Sequence, residues 1–395
     1  MSLVSSPKRQ NFAAAGAALA LLAPLALTAC TDNTAKPASS SAGGPVAVTS
    51  TTDACQLSAT GAKSGPVTFE VKNDGADVTE FYLLAEDGLR IIGEVENIGP
   101  GITRNLVVTA PAGTYQTACK PGMQGDGIRA SFTVEESGTT PSVSADVQKL
   151  TETATGQYTA YVKDQTEQLL TGTKDFAAAF ASGDAAKAKG LYASVRMHWE
   201  RIEPVAESFG DLDPKLDLRE ADLEAGQKLT GWHRAEKDIF PPASYKAMTE
   251  AERKAIADQL VADTQDLYTR TRTVKLTADQ LGNGAKELLD EVATGKVTGE
   301  EEIWSHTDLW DFQANIDGAR IAFENLRPVL LIKDAALATK LDAQFKSLQA
   351  ELDKFKDGEG FTYYNDLTPA QVKTLAASVD SLAEPLSKLT AAVVL

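Results

Sequence analysis

The chain has 395 residues and carries 55 acidic side chains against 38 lysines and arginines, a net charge of -17. That charge repels nucleic acid and anionic lipid and argues against both as partners. The length exceeds one typical domain and predicts two.

Lys8 and Arg9 precede an Ala/Leu run that begins at Ala13 and ends at Leu27-Thr28-Ala29-Cys30. Residues 1–29 therefore read as a removable signal peptide with the form of a bacterial lipobox. Cys30 would become the lipidated first residue, a lipid anchor holding the protein on the outer side of the cell membrane, in a periplasmic-type space. The alternative is an ordinary secretory peptide with Cys30 incidental. No later stretch is long and apolar enough to span a bilayer. Residues 30–47 are rich in Ser, Ala, Gly, Pro and Thr and read as a flexible tether.

Residues 48–134 read as β. Strands are predicted over 67–71, 79–84, 89–95, 105–109, 113–118 and 128–134, punctuated by Gly, Pro and Asn/Asp turns. Short, evenly spaced strands of this kind argue for a β-sandwich. Cys55 and Cys119 either form a disulfide or leave Cys119 free as a metal ligand. Residues 135–144 are a linker by composition. From 145 to 395 apolar residues recur at spacings of three and four, as packed helices require. Helices are predicted over 146–181, 184–209, 249–271, 277–294, 311–326, 335–355 and 369–394. Thr249-x-x-Glu252 and Thr277-x-x-Gln280 look like capping boxes. The fold class is multidomain, β then all-α.

The chain has only three histidines, and one lies in Gly231-Trp232-His233-Arg234-Ala235-Glu236, a G-x-H-x-x-E motif. On a helix, residues three apart share a face, so His233 and Glu236 can point at one site. Glu200 and Glu203 have the same spacing, and Asp217 follows. One nitrogen and several oxygen ligands suit a hard or borderline cation such as iron or zinc. The plainer alternative for Glu200 and Glu203 is a solvated face paired with Arg196 and Arg201. Trp199 and Ile202 beside them suggest burial, which shifts protonation, recruits cationic partners or binds metal. In residues 304–311, His306 reads as part of a helix start, with Ser305 or Thr307 as N-cap. In the β half, Cys119-Lys120-Pro121-Gly122-Met123 resembles the C-terminal ligand loop of a cupredoxin. That half contains no histidine, so a blue-copper centre, which needs two, is excluded. Glu80, Glu94, Glu96, Cys119, Met123 and Asp126 remain as candidate ligands there.

Taken in order, these motifs resemble the EfeO family, the extracytoplasmic component of the EfeUOB-type iron uptake system. Glu80-Phe81-Tyr82, residues 94–101 and residues 119–123 are similar to its N-terminal cupredoxin-like domain. Residues 198–204, 231–236 and 305–311 are similar to its C-terminal imelysin-like domain. The resemblance implies metal binding by His233 and Glu236, joined by Glu200, Glu203 and Asp217. It implies iron as Fe(II) or Fe(III), with Zn(II) and Cu(II) as further candidates. It also implies two partners, an EfeU-like membrane iron permease and an EfeB-like haem-peroxidase-type protein. The implied role is capture of iron and delivery to the permease. The competing readings are a zinc metallopeptidase of imelysin type and a metal-bridged polymer-binding lipoprotein. The first lacks the H-E-x-x-H signature, because Arg234 follows His233.

Overall fold

In the computed structural model, residues 44–395 are described apart from 89, 139–143, 224–225 and 295. The expected leader, the expected lipidation site Cys30 and most of the expected tether lie outside the described residues. The first half forms nine strands: β1 (Val46–Ser50), β2 (Cys55–Leu57), β3 (Gly61–Lys63), β4 (Gly65–Asn73), β5 (Thr79–Ala85), β6 (Ile91–Ile98), β7 (Thr103–Ala110), β8 (Gly113–Cys119) and β9 (Ile128–Glu135). One sheet has the order β2-β1-β4-β7 and the other β3-β9-β8-β5-β6. β1 begins inside the stretch read as tether. Val46 and Val48 alternate into the core and pair in parallel with Phe69 and Val71 of β4, which fixes them. Phe69 bridges the sheets, its ring 5.1 Å from Phe81 and 5.2 Å from Phe132. A Cys55–Cys119 disulfide ties β2 to the end of β8.

The second half is helical: α1 (Ala145–Ser182), α2 (Ala185–Glu200), α3 (Leu212–Asp217), α4 (Gly231–Ile239), α5 (Glu250–Thr271), α6 (Ala278–Thr294), α7 (Asp308–Lys333), α8 (Ala335–Leu352), α9 (Pro369–Leu386) and α10 (Leu389–Val394). A small hairpin, β10 (Lys356–Asp357) with β11 (Gly360–Phe361), precedes α9. Thr249 and Glu252 make the expected capping box, and Thr368 with Gln371 makes another. Four predicted helices differ by more than a residue at an end. The segment 335–355 turns to a 3-10 helix after Leu352, and 369–394 divides into α9 and α10. The segment 184–209 breaks after Glu200, and Pro204 sits at the start of a 3-10 helix, Glu203–Phe209. α7 begins at Asp308 and continues through Pro328 to Lys333. Thr307 occupies its N-cap position, but its hydroxyl pairs with Ser305 at 2.9 Å and caps nothing. No helix among the described residues is long and apolar enough to cross a membrane.

The β domain rests on α6. The Thr109 amide donates to Asp279 Oδ2 at 2.8 Å, Asn283 Nδ2 donates to the Val107 carbonyl at 2.8 Å, and Arg104 pairs with Asp290 at 3.0 Å. The other face of α6 packs on the 3-10 helix so closely that a Cβ on Gly284 would fall 1.6 Å from the Pro204 carbonyl oxygen. The helix thereby lines one wall of a cleft between the two domains.

Candidate metal centre

α4 is short and strongly sided. Trp232 and Ala235 bury in the core, where Trp232 packs 4.9 Å from the ring of Phe176. Gly231 opens the helix at φ +66°, and a Cβ there would lie 2.1 Å from the Leu216 carbonyl oxygen. Only glycine tolerates both the left-handed backbone and that approach. The contact sets the end of α3, and hence Asp217, against His233. His233 Nε2 lies 3.3 Å from Asp217 Oδ1 and 3.5 Å from Glu301 Oε1, with no well-aligned hydrogen bond to either. On the other ring edge, Nδ1 lies 3.2 Å from Glu236 Oε2. The second oxygen of Glu236 accepts from the Ser305 amide at 2.7 Å and the Trp304 amide at 3.0 Å. Glu302 accepts from the Ser305 hydroxyl at 2.7 Å and from Tyr192 OH at 3.2 Å. Among the described residues, two sets of donor atoms are close enough to share an ion: Asp217, His233 and Glu301, and His233, Glu236 and Glu302.

The expected ligands divide. His233, Glu236 and Asp217 come together. Glu200 and Glu203 turn instead to Lys296, at 3.0 and 2.9 Å, and to Asn315 Nδ2, at 2.9 and 2.6 Å. Glu200 also pairs with Arg196 at 2.5 Å, so Arg196 stands between it and the histidine centre. Glu301 and Glu302, absent from the expected set, take those places. Their signal was the acidic run Glu300-Glu301-Glu302 just before Trp304, which sequence reasoning passed over. His306 adopts φ +59° in the turn, where its amide bonds to the Glu302 carbonyl, and is not among the grouped donors. His198 lies apart, with Nδ1 2.8 Å from Gln165 Oε1, and burial pushes its pKa down to about 4.

Charge dominates the chemistry of this centre. Burial favours neutral forms throughout, yet the Arg196 and His233 charges hold Asp217 well below the usual carboxylate range. Lys296 and His233 overcome burial in the same way for Glu301, down to about 2. Burial and Arg196 oppose a charged His233, but Asp217, Glu236 and Glu301 outweigh them and raise it well above the ordinary histidine value. Burial wins for Glu302 and Asp311, which are pushed well up. The imidazole edge and its carboxylates are a donor set that a hard or borderline cation fits.

Of the β-domain candidates, Glu94, Glu96 and Met123 face the helical domain across the cleft. They line a cavity of about 330 Å³ with Glu207, Asp213, Glu287 and Glu291. Asp217 and Glu301 line it too, so the cavity reaches the histidine centre. The pleat of β6 puts Glu94 and Glu96 on one side of the strand. Glu94 is 4% exposed, and its Oε2 has no hydrogen-bond partner. Burial, reinforced by Glu207 and Glu96, raises Glu94 well above normal, and burial with Glu80 pushes Glu96 up to about 8. Glu207 rises to about 7 and Glu287 to about 8, mainly by burial. Glu80 stands aside, accepting from Tyr82 OH at 2.7 Å. Asp126 is solvent-exposed and lies 3.9 Å from Arg129. Cys119 is removed from the ligand set, because the disulfide to Cys55 leaves no thiolate to coordinate.

A family model for imelysin matches residues 154–389, and one for the cupredoxin-like domain matches residues 17–134. The iron uptake system component EfeO of Escherichia coli O157:H7 is 38% identical over 324 residues, 81% of this chain and 84% of that protein. The chain belongs to the EfeO family. The same component from Escherichia coli K12 and from Shigella flexneri is 37% identical over the same shares. The two family matches agree with the fold, a β-sandwich followed by a helical domain. They also put the G-x-H-x-x-E helix inside the imelysin part.

Proposed function

We propose that this chain captures iron outside the cytoplasmic membrane at the His233 centre and passes it to a membrane permease. The observation that carries the reading is the approach of Asp217, Glu236, Glu301 and Glu302 to the two ring nitrogens of His233 in a buried pocket. The family's membership of iron uptake systems supports iron as the cargo. Ligation requires the neutral imidazole, so binding releases the proton that His233 holds. The oxygen-rich donor set favours Fe(III) or a divalent ion over Cu(I). Zn(II) and Cu(II) are its expected competitors. Glu200 and Glu203 act one layer out, through Lys296 and Arg196, and orient the centre rather than ligate.

Glu94, Glu96 and Met123 are proposed as a second station for the ion at the cleft mouth. Burial and like charge keep Glu94 and Glu96 protonated, and a cation that displaces those protons relieves the repulsion between the two carboxylates. An EfeU-like permease and an EfeB-like haem-peroxidase-type protein are the proposed partners, with Cys30 supplying the lipid anchor. The test is calorimetric titration of the metal-stripped protein with Fe(II), Fe(III)-citrate, Zn(II) and Cu(II), beside His233→Ala/Glu236→Ala. Iron binding that vanishes or weakens more than tenfold in the variant is the expected result. No iron binding by the parent protein, or equal binding by the variant, overturns the assignment.

A further inference from the structure

Arg196 and Asp311 are the two groups that capture by itself does not explain. The Arg196 guanidinium is fully buried amid carboxylates. Its Nη1 donates to Asp217 Oδ1, and Nη2 lies 3.5 Å from Glu301 Oε1. Those are the same two oxygens that approach His233 Nε2. A metal ion bound by His233 Nε2 and these oxygens of Asp217 and Glu301 therefore competes with Arg196 for both. The second donor set meets the same obstacle, since Arg196 Nε is 2.6 Å from Glu302 Oε1. A guanidinium and a metal dication sharing these oxygens repel each other strongly at such range.

A place for the displaced charge is already present. Asp311 is 1% exposed, and neither of its carboxylate oxygens has a hydrogen-bond partner. A buried acceptor left in that state costs stability. Asp311 Oδ1 lies 3.8 Å from Arg196 Nε, whose own N–H makes no aligned hydrogen bond. Donor and acceptor thus sit just beyond bonding range, with Asp311 unsatisfied and Nε held only by its close but misaligned contact with Glu302. Glu200, 2.5 Å from Nη2, holds the far side of the guanidinium.

We propose that Arg196 is a tethered counter-ion that fills the centre when no metal is bound and turns onto Asp311 and Glu200 as the metal enters. The inference rests on the His233 centre being the metal site. Arg196 neutralises the carboxylates of the empty pocket. Its displacement weakens metal binding by the strength of the contacts given up, and its return assists release. Asp311 lowers that penalty by receiving the guanidinium. Both are positioning residues. Neither is a ligand in this scheme.

The experiment is a double-mutant cycle on Zn(II) affinity and dissociation rate, using the full mature chain, with Asp311→Asn, Arg196→Met and the pair. His233→Ala is measured alongside. Asp311→Asn keeps the side-chain shape and should bind Zn(II) about tenfold more weakly, as outer partners of a metal site commonly do. Arg196→Met should bind at least tenfold more tightly and release more slowly. In the Arg196→Met background, Asp311→Asn should have no further effect. Equal affinity of Asp311→Asn and the parent overturns the inference, including when Arg196→Met fails to fold. An Asp311→Asn loss that persists unchanged without Arg196 also overturns it. If the parent binds no Zn(II), or His233→Ala binds it equally well, the centre itself is wrong, a result distinct from either.

Discussion

Gly231→Ala puts the geometry of the centre under direct test. The new Cβ would fall 2.1 Å from the Leu216 oxygen, 2.5 Å from the Leu216 carbonyl carbon and 2.7 Å from the Lys215 oxygen. No flexible side chain stands there to move aside, so the end of α3 has to retreat by roughly 1 Å in a close-packed interior. Holding alanine in the left-handed region costs about 1–2 kcal/mol. Relieving the overlap adds about 1–3 kcal/mol. The expected loss is about 2–5 kcal/mol, at about 2–4 °C of melting temperature per kcal/mol for a domain of this size. Asp217 follows Leu216 and moves with it, away from His233 Nε2. Metal affinity should fall about ten- to a hundredfold, as when a metal site loses its supporting geometry. Gly190→Ala is the control: it lies within α2, its Cβ meets nothing within 4 Å, and it should stabilise slightly. Thermal denaturation and Zn(II) titration read both quantities. Parental stability in Gly231→Ala would refute the packing argument. Lost stability with unchanged affinity would refute the coupling from Leu216 through Asp217 to the metal.

The pH dependence of the metal-free protein has a definite sign. Folding raises Glu96 and Glu287 to about 8 and Glu207 to about 7. The stability these groups contribute is full below the unfolded value near 4.5 and is lost as pH rises through 7–8, by about 1.4 kcal/mol per pH unit for each retained proton. His233, also raised, acts in the same direction, while His198, held down to about 4, opposes it between 4 and 6.5. Urea denaturation at pH 5, 6.5 and 8 should give falling stability above 6.5, and a rise there would contradict the reading. Cys119→Ser opens a bridge spanning 64 residues, worth about 4 kcal/mol by chain entropy. Denaturation should register that loss in the β domain, and Zn(II) affinity at the His233 centre should stay unchanged. Asp279→Ala strands the half-buried Thr109 amide at a cost of about 1 kcal/mol. Hydrogen exchange over 103–110 should speed up, and unchanged protection would count against the seam.

Local spacing made much of this legible. His233 and Glu236 are one helical turn apart, so their shared site follows from the chain itself. Strands such as 79–84 and 128–134 announced themselves by alternation and turn residues. What failed was partnership across distance. The sequence left Glu200 and Glu203 open between a solvated face and burial; Glu200 is buried and Glu203 half-buried, and Lys296, their actual partner, lies more than ninety residues away. Glu301 reaches the centre only because the segment before α7 folds back over α4, and no local pattern encodes that. Glu94 and Glu96 looked like members of a site confined to the β domain. Their neighbours Glu207 and Glu287 come from the other domain and carry no motif. The Cys119 ambiguity was resolved by the pairing of β2 with β1, which brings Cys55 to the right edge of the sandwich.

The seam between the domains has a consequence for how this architecture changes over generations. Two of its bonds, from Asp279 and Asn283, end on the main chain of β7. Helix α6 therefore reads a strand's shape and ignores most of its spelling. At the seam the side chains of β7 are little constrained by α6 except at Arg104, although Leu106, Val108 and Ala110 remain tied to the sandwich core. Much of the burden of keeping the two halves in register falls on α6, with α10 and the 3-10 helix Glu203–Phe209 beside it. A relative that discarded the sandwich would leave Asp279 and Asn283 facing water with nothing to hold, and substitutions at those two positions would be the trace of its loss.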